Sequence, residues 1–273
     1  MAYPSVTSPY GLKPVNLIGG RVYAGSTRMF PIVNGYGTSL YNGDVVQLGT
    51  SANIGTLTAS TLTYNQSAPV NGTIGVFVGC EYSTTGGPIY GKNRYQYWNA
   101  STSAPDAIGY VVDDPNAVFR TAVVVNPAGT GGSTTIQYAC QAFVGANAYY
   151  IGSAAGNTGS TTTGDSLAGV ALSASATVST PVVTSNLGAF RIVQLVPDTA
   201  VTVAANATTT GSTLTLSAAN SAITTGMAVS GPGILAGSST YVTAVSGTTV
   251  TLSQNVTTAQ ATAAQFSFTG YPE

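Results

Sequence analysis

Short apolar runs separated by turn-forming residues limit what this chain can fold into. Segments such as Arg28–Val33, Gly75–Tyr82 and Ile108–Val112 are rich in strand-forming residues, and Asn34-Gly35 and Asn42-Gly43 mark turns between runs of this kind. Asn and Gly tolerate the positive φ angles that tight turns need. Helical periodicity is hard to find anywhere. The pattern therefore predicts an all-β chain whose main domain is a β-barrel or a β-sandwich.

Charge is scarce throughout. Charged residues make up 5% of the chain, against about 25% in an ordinary soluble protein, while 44% of the residues are hydrophobic. Low charge combined with this much apolar residue is not a signature of disorder. The net charge is −1 and no basic stripe exists, so the sequence argues against nucleic-acid binding. Histidine is absent, which removes the commonest general base and metal ligand.

The chain divides by composition into three predicted parts. Residues 1–20 are predicted to be an extended N-terminal arm, because three prolines prevent a regular helix. Residues 21–198 form the main β domain, and residues 199–273 form a small β module with no charged residue from Thr199 to Pro272. The predicted strands of the main domain also include Thr135–Val144. Those of the module are Val201–Val203, Thr213–Ser217, Tyr241–Val245, Thr248–Ser253 and Gln265–Thr269, and Ser246-Gly247 is predicted to form a hairpin. The last of these strands, Gln265–Thr269, either belongs to this module or returns to the main domain.

Candidate catalytic and metal-binding patterns are weak. Asp113-Asp114, with Asp106 and Asn116 nearby, is either a Ca²⁺ site or an ordinary Asp-Pro-Asn turn. No nucleophile elbow or phosphate loop is present. Cys80 and Cys140 are either two buried thiols or a disulfide. We therefore predict a protein that is not an enzyme and needs no cofactor and no metal.

The N-terminus lacks the pattern of a secretory signal, and no apolar run is long enough to span a membrane. These features predict a protein that is made in the cytoplasm and does not bind a membrane.

Aromatic and basic clusters supply the candidate contact residues. Tyr95, Tyr97 and Trp98 lie together and belong to the core, to an interface, where Trp, Tyr and Arg are enriched, or to a sugar-binding platform. Lys13, Arg21 and Arg28 concentrate positive charge near the arm. They are either solvated or paired with carboxylates of a partner.

An ordered set of motifs resembles a family of tailed-phage structural proteins. The motifs are Gly11-Leu12-Lys13-Pro14-Val15, Tyr41-Asn42-Gly43-Asp44-Val45-Val46, Gly75-Val76-Phe77-Val78-Gly79, Tyr97-Trp98, Asp113-Asp114-Pro115-Asn116-Ala117-Val118-Phe119 and Phe190-Arg191-Ile192-Val193. Members of that family are taken as capsid decoration, or cement, proteins and are typically trimers.

The resemblance implies a structural virion protein on the outer surface of a phage capsid, made in the host cytoplasm. Its partners would be the major capsid protein and further copies of itself. It would bridge capsid subunits and stabilise the head. We expect the capsid or oligomer interface to include Leu12, Lys13, Pro14, Arg21, Arg28, Tyr95, Tyr97 and Trp98.

A second stretch, residues 212–252, resembles a small β module that recurs in phage and bacterial surface proteins. It leaves a rival function open, that of a tail or fibre-associated protein that binds the host. A weak contact with the host surface through residues 199–273 is a further expectation. A glycan-cleaving enzyme and a bacterial surface protein are weaker rivals, since acids are few and an export signal is missing.

Overall fold

The computed structural model describes residues 6–49, 57–59, 73–83, 91–125, 135–152, 159–172, 190–235 and 240–273. Over these residues the chain is all-β, and its antiparallel sheets curl into half-barrels. The predicted all-β fold is thereby confirmed. The boundaries that we drew after residues 20 and 198 stay predictions, and residues 1–5 of the predicted arm lie outside the described part.

The N-terminal strands are β1 (Lys13–Leu17), β2 (Arg21–Val22), β3 (Arg28–Pro31), β4 (Val45–Leu48), β5 (Leu57–Ala59), β6 (Thr73–Tyr82), β7 (Asn93–Tyr95), β8 (Ile108–Val112) and β9 (Ala117–Arg120). The later strands are β10 (Asn147–Ile151), β11 (Gly169–Ala171), β12 (Phe190–Arg191), β13 (Val201–Thr210), β14 (Thr213–Leu216), β15 (Ala228–Ser230), β16 (Val242–Ser246), β17 (Thr249–Leu252) and β18 (Ala264–Gly270). Two short 3₁₀ helices, Gln141–Phe143 and Pro197–Thr199, accompany them.

The central sheet has the strand order β3-β8-β6-β4-β5, and β7 also pairs with β6. Side chains alternate between the two faces of each strand, and both faces of the middle of this sheet are packed against other parts of the chain. On one face Val46 and Phe77 pack with Trp98, whereas on the other Val45 and Val76 pack with Leu12. The arm therefore covers one face of this sheet.

Two three-stranded sheets flank it, with the orders β2-β1-β9 and β11-β10-β12. Strand β1 lies within residues 1–20, the predicted arm. Its residue Leu17 pairs with both Arg21 and Ala117, so β1 is the middle strand of the first sheet. Strand β2 forms one edge of this sheet.

The C-terminal sheet has the order β15-β18-β13-β14-β17-β16. Val229 N–H donates to Thr240 O over 2.9 Å, and Val242 N–H donates to Met227 O over 2.9 Å. These bonds join the first and last strands, so the sheet curls round on itself and closes over an apolar cluster that includes Phe266 and Phe268. The predicted Ser246-Gly247 hairpin is present between β16 and β17.

The question about the last strand is answered by its pairing. Strand β18 runs antiparallel to β13 from Ala207↔Ala264 to Val201↔Gly270, so it belongs to the C-terminal sheet. The three residues after it then return to the rest of the chain. Tyr271 bridges Ala139, and Val123 N–H donates to Pro272 O over 2.8 Å.

One predicted strand, Thr135–Val144, is wrong. The segment divides its backbone hydrogen bonds between different neighbours: Gln137 N–H donates to Val123 O, while Ala139 exchanges bonds with Tyr271. It then enters the 3₁₀ helix at Gln141. Its alternating apolar residues instead contact two different clusters, with Tyr138 against the C-terminal sheet and Phe143 in the main domain.

Candidate functional site

Two of the predicted interface residues lie inside the chain. Leu12 is 1% exposed and Trp98 is fully buried. The Trp98 indole N–H donates to Tyr36 O over 3.2 Å, and its ring meets Tyr82 edge-on. In this conformation neither Leu12 nor Trp98 presents side-chain atoms to a partner.

Tyr95 and Tyr97 are half-buried beside Trp98. Tyr95 stacks on Tyr82 with 4.3 Å between ring centroids, and Tyr97 stacks on Tyr41 with 5.3 Å. Stacked rings of this kind add to the energy of burial. The aromatic cluster thus supports the core, with one side of each tyrosine left accessible.

The arm is fixed to the main domain at a junction of three segments, which we name the arm junction: Gly11–Lys13, Asn42–Asp44 and Asp165–Ser166. Leu12 N–H donates to Gly43 O over 3.1 Å, and Ser166 N–H donates to Asn42 O over 3.0 Å. The glycine-leucine and glycine-aspartate motifs, distant in sequence, meet here.

Glycine is required at two positions of this junction. Gly11 has φ +80°, and an added Cβ there would lie 2.9 Å from the Cα of Gly43. Gly43 has φ +101°, and its added Cβ would lie 2.7 Å from the N of Leu12. Because both conformations disfavour other residues and both backbones touch, a side chain at either position would push the arm away.

Asp44 is the buried acid of the arm junction, at 5% exposure. Its carboxylate accepts hydrogen bonds from Ser166 Oγ at 2.5 Å and from Tyr41 N–H at 2.8 Å. Burial raises the pKa of Asp44 to about 6, against the lowering effect of these bonds and of the Lys13 charge. Burial also raises the pKa of Tyr150, whose hydroxyl accepts from Val45 N–H.

Lys13 closes the outer side of the arm junction. Its ammonium donates to Asp165 Oδ1 at 2.6 Å and to Asn42 Oδ1 at 2.8 Å. Asp165 also accepts from Gln96 Nε2 at 3.1 Å. The Lys13 side chain therefore already has a carboxylate partner in its own chain.

A groove of about 670 Å³ lies beside Lys13. Its lining includes residues of the β6–β7 pair, of the loop between β2 and β3 and of the start of β1. Three of the predicted residues, Lys13, Pro14 and Tyr95, line it.

Exposed apolar side chains concentrate near the N-terminus. Of the six large exposed apolar residues among those described, four lie between residues 15 and 29. We name the residues on the β1–β2 hairpin, together with Arg21, the N-terminal hairpin surface: Val15, Ile18, Arg21 and Val22. Met29 lies on β3, in the central sheet. Val22 is 82% exposed and Met29 is 62% exposed.

The two predicted arginines differ in their partners. Arg28 Nε lies 2.9 Å from Asp113 Oδ2; the Arg28 side chain is exposed and that of Asp113 is partly buried. The Arg21 side chain makes no hydrogen bond or ion pair with any residue in the described ranges. Arg21 is thus a cation without a carboxylate partner among the described residues, on the same β1–β2 hairpin as the exposed Val15, Ile18 and Val22.

The acidic residues considered as a Ca²⁺ site make structural contacts within the chain. Asp114 accepts from Asn116 N–H at 2.8 Å, which is the Asp-Pro-Asn turn, and Asp113 pairs with Arg28. The described residues contain no group of three or more acids or cysteines that could hold a metal ion.

Both cysteines are free, buried thiols. Burial raises the pKa of Cys80 to about 12 and that of Cys140 to about 11. Since the thiolate is the reactive form, both thiols are inert at neutral pH.

Sequence reasoning missed the residues that complete these surfaces. Asp44 and Ser166 stand 122 positions apart, so no local pattern links them. Val15, Ile18 and Val22 carried a usable signal, because they flank Gly19-Gly20 as a hairpin would.

Comparisons of the chain with protein-family models, with curated proteins and with solved structures give no match. Within the described ranges, no helix is long and apolar enough to cross a membrane.

Proposed function

We propose that this chain is a capsid decoration protein of a tailed phage, a structural virion protein that binds across major capsid protein subunits and stabilises the head. It acts on the outer surface of the capsid, by adding interface at subunit joints and not by catalysis. The observation that carries the proposal is the N-terminal hairpin surface. It places exposed apolar side chains, and an arginine with no ion pair or side-chain hydrogen bond among the described residues, on the β1–β2 hairpin, whose strand β2 is a sheet edge.

The composition of this surface suits protein binding. Arginine set among apolar residues is enriched at the energetic centres of interfaces. A specific interface buries about 800 Å² on each partner, and burial of this hairpin would supply apolar area while Arg21 meets a carboxylate of the shell. Lys13 and Arg28 play a smaller part, because each is paired within the chain.

Self-association is a second part of the proposal. The family resemblance implies a homotrimer, and several copies attached together raise apparent affinity without a new contact type. The C-terminal sheet would then face outward. Its charge-free, hydroxyl-rich strands fit a weak contact with the host surface, in which residues 199–273 take part.

Removal of residues 1–20 is a poor test, because it would delete β1 and uncover the core around Leu12. Point variants separate binding from folding. Val22→Asp places a charge in the hairpin surface, and Val193→Asp is the matched control at another exposed valine, 51% accessible.

The experiment adds each purified protein to capsids that lack it and measures occupancy by cryo-electron microscopy. We expect unaltered protein and Val193→Asp to decorate capsids, and Val22→Asp and Arg21→Glu to lose at least about tenfold in affinity. Equal occupancy for all four proteins would reject the hairpin surface as the shell contact. Density confined to the tail would instead favour a host-binding tail or fibre component.

A further inference from the structure

Lys13 meets two side chains of different chemistry at the arm junction. Its Nζ lies 2.6 Å from Asp165 Oδ1 and 2.8 Å from Asn42 Oδ1. A lysine nitrogen, an amide and a carboxylate from three distant parts of the sequence are therefore held at one point. Lys13 is the first residue of β1, and the backbones of Asn42 and Asp165 form a parallel bridge, so each of the three is fixed in place.

The amide of Asn42 is held at both ends. Its Oδ1 accepts from Lys13, and its Nδ2 donates to Val78 O over 3.2 Å. Turning the amide away from Lys13 would break both bonds. Because Oδ1 is bonded to Cγ, the Lys13 nitrogen stands against the carbon atom that an amine would attack. Groups held within about 3–3.5 Å in this way react much faster than free ones.

The other lysine lacks this arrangement. The chain contains two lysines, and the structure describes both. Lys92 donates to Asp106 O, which is a main-chain carbonyl. The ion pairs of Arg28 and Arg120 involve guanidinium groups, which do not lose their proton and are poor nucleophiles. Among the described residues, Lys13 alone brings a lysine nitrogen to a side-chain amide.

From this geometry we infer that Lys13 and Asn42 become joined by an isopeptide bond, which forms in the folded chain without another protein. Asp165 takes a proton from the Lys13 ammonium, and the freed lone pair attacks Asn42 Cγ. The Cγ–Nδ2 bond breaks as the new C–N bond forms. Asp165 passes this proton, and then a second one from the lysine nitrogen, to the departing nitrogen. One ammonium and one amide thus give one secondary amide and one ammonium ion, without an oxidant or a cofactor.

Asn42, and not Asp165, is the group that is attacked. A carboxylate ion resists attack by an amine, whereas a neutral amide accepts it, and Asp165 also accepts from Gln96 Nε2 over 3.1 Å. Lys13 and Asn42 both line the groove of about 670 Å³, which gives ammonia a route to solvent. The bond would tie β1 covalently to the turn before β4. This inference goes beyond the capsid assignment and does not depend on it.

A competing reaction at Asn42 is ring closure by the backbone nitrogen of Gly43, which loses ammonia as well. The Gly43 N–H donates to Phe77 O over 2.8 Å, and this bond holds the nitrogen away from the amide carbon. The variant Lys13→Arg separates the two reactions. It removes the amine, keeps a cation beside Asp165, and leaves Asn42 and Gly43 unaltered.

The experiment measures the intact mass of the purified full-length protein after overnight incubation. We expect a loss of about 17 Da, one ammonia, in the unaltered protein and in the matched control Lys92→Arg. Lys13→Arg, Asn42→Ala and Asp165→Asn should keep the mass that their sequences give. A tryptic digest of the unaltered protein should contain a branched peptide that joins the fragment ending at Arg21 to the fragment ending at Lys92.

An unaltered protein with the full mass of its sequence would overturn the inference, whatever the variants do. A loss that persists in Lys13→Arg would also overturn it, since this is ring closure at an asparagine. A loss of about 18 Da would do the same, because it would mean that the lysine had condensed with a carboxyl group. Failure of the capsid experiment leaves these results unaffected, since no capsid is used.

Discussion

The N-terminal hairpin region and the C-terminal sheet are built from the same kind of strand, but they differ in whether their edge strands are paired. In the C-terminal sheet β15 and β16 join, so the order β15-β18-β13-β14-β17-β16 has its two ends paired. At the N-terminus β2 and β3 stay at sheet edges and carry Arg21, Arg28 and Pro31. Unpaired edges invite association, and charge or proline on them selects against the wrong partner.

Charge follows the same division. All 7 basic and 8 acidic residues of the chain are described, and none lies between Thr199 and Pro272. A closed sheet has no edge to guard and is held by alternation alone, as in β14, where Leu214 and Leu216 are buried and Thr215 is exposed. The charged residues of this protein therefore lie in the part of the chain whose sheets have unpaired edges and where separate segments meet.

The largest expected effect tests whether the two regions are one folding unit. Phe268 and Phe77 are both fully buried, one in the C-terminal sheet and one in the central sheet. Phe268→Ala and Phe77→Ala should each cost about 3–5 kcal/mol. Because Tyr138 packs on the C-terminal cluster and Tyr271 bridges Ala139, calorimetry should show one transition that both variants lower.

Two separate transitions, of which each variant moves only one, would contradict this coupling. Val22→Ala, at an 82% exposed site, is the control that should leave the transition unchanged.

The second effect is a pH dependence confined to the N-terminal region. Burial raises the pKa of Asp44 to about 6 from 3.8. The folded protein therefore binds more protons than the unfolded chain between these values, so the Asp44 contribution to stability grows as pH falls from 7 to 4 and is lost as pH rises through 6. The full difference is roughly 3 kcal/mol.

This pH dependence is measured by denaturant unfolding of the unaltered protein and of Asp44→Asn at several pH values. The difference in the free energy of unfolding between the two proteins removes the contribution of the other carboxyl groups. We expect the advantage of Asp44→Asn to be largest at pH 7 and to shrink on acidification. A difference that is constant with pH would show that Asp44 titrates normally.

The third effect concerns the contact that fixes the end of β18 to the arm. Glu273 is 7% exposed, and its carboxylate accepts from Tyr10 OH at 2.5 Å and from Arg120 Nε at 2.9 Å. Glu273→Gln should cost about 1–2 kcal/mol, less than a fully buried ion pair, because Arg120 is 41% exposed.

Tyr10→Phe removes only a neutral donor and should cost about 1 kcal/mol. Thermal unfolding of both variants gives the comparison. A larger loss for Tyr10→Phe than for Glu273→Gln would mean that Arg120 contributes nothing to the contact.

The smallest effect lies on the hydroxyl face of the C-terminal sheet. Thr202 and Thr269 face each other across β13 and β18, with 3.1 Å between their hydroxyl oxygens. Thr202→Val should change the free energy of unfolding by less than about 1 kcal/mol, because the pair is exposed. A loss above that value would show that the hydroxyl face, and not only the apolar interior, holds the sheet.

Local sequence patterns predicted those strands in which each face has a regular apolar or polar character. Ile108–Val112 is found as predicted, and the Thr213–Ser217 and Thr248–Ser253 runs hold β14 and β17. Strand β13 was predicted only as Val201–Val203, since Thr, Ala and Asn continue it to Thr210 without an apolar signal. Its length is set by the partner β18 and not by its own residues.

The candidate site was predictable only in part. The arm junction depends on Ser166, which reaches Asp44 from a distant loop, and such long-range pairing has no local signature. Leu12 and Trp98 were expected at an interface, with the core left open as an alternative for Trp98, and packing buries both side chains. Lys13, Pro14 and Tyr95 do come together, although around a groove that no single motif describes.

The C-terminal sheet leaves and rejoins the rest of the chain at one place, where Val201 faces Gly270. Paired residues of antiparallel strands lie about 5 Å apart, so another sequence with adjoining ends fits the same two attachment points. We therefore expect that a foreign domain whose ends adjoin can be joined to the chain at these two points in place of the sheet. A replacement domain must supply atoms that cover Tyr138, against which Met227 and Gly270 now pack.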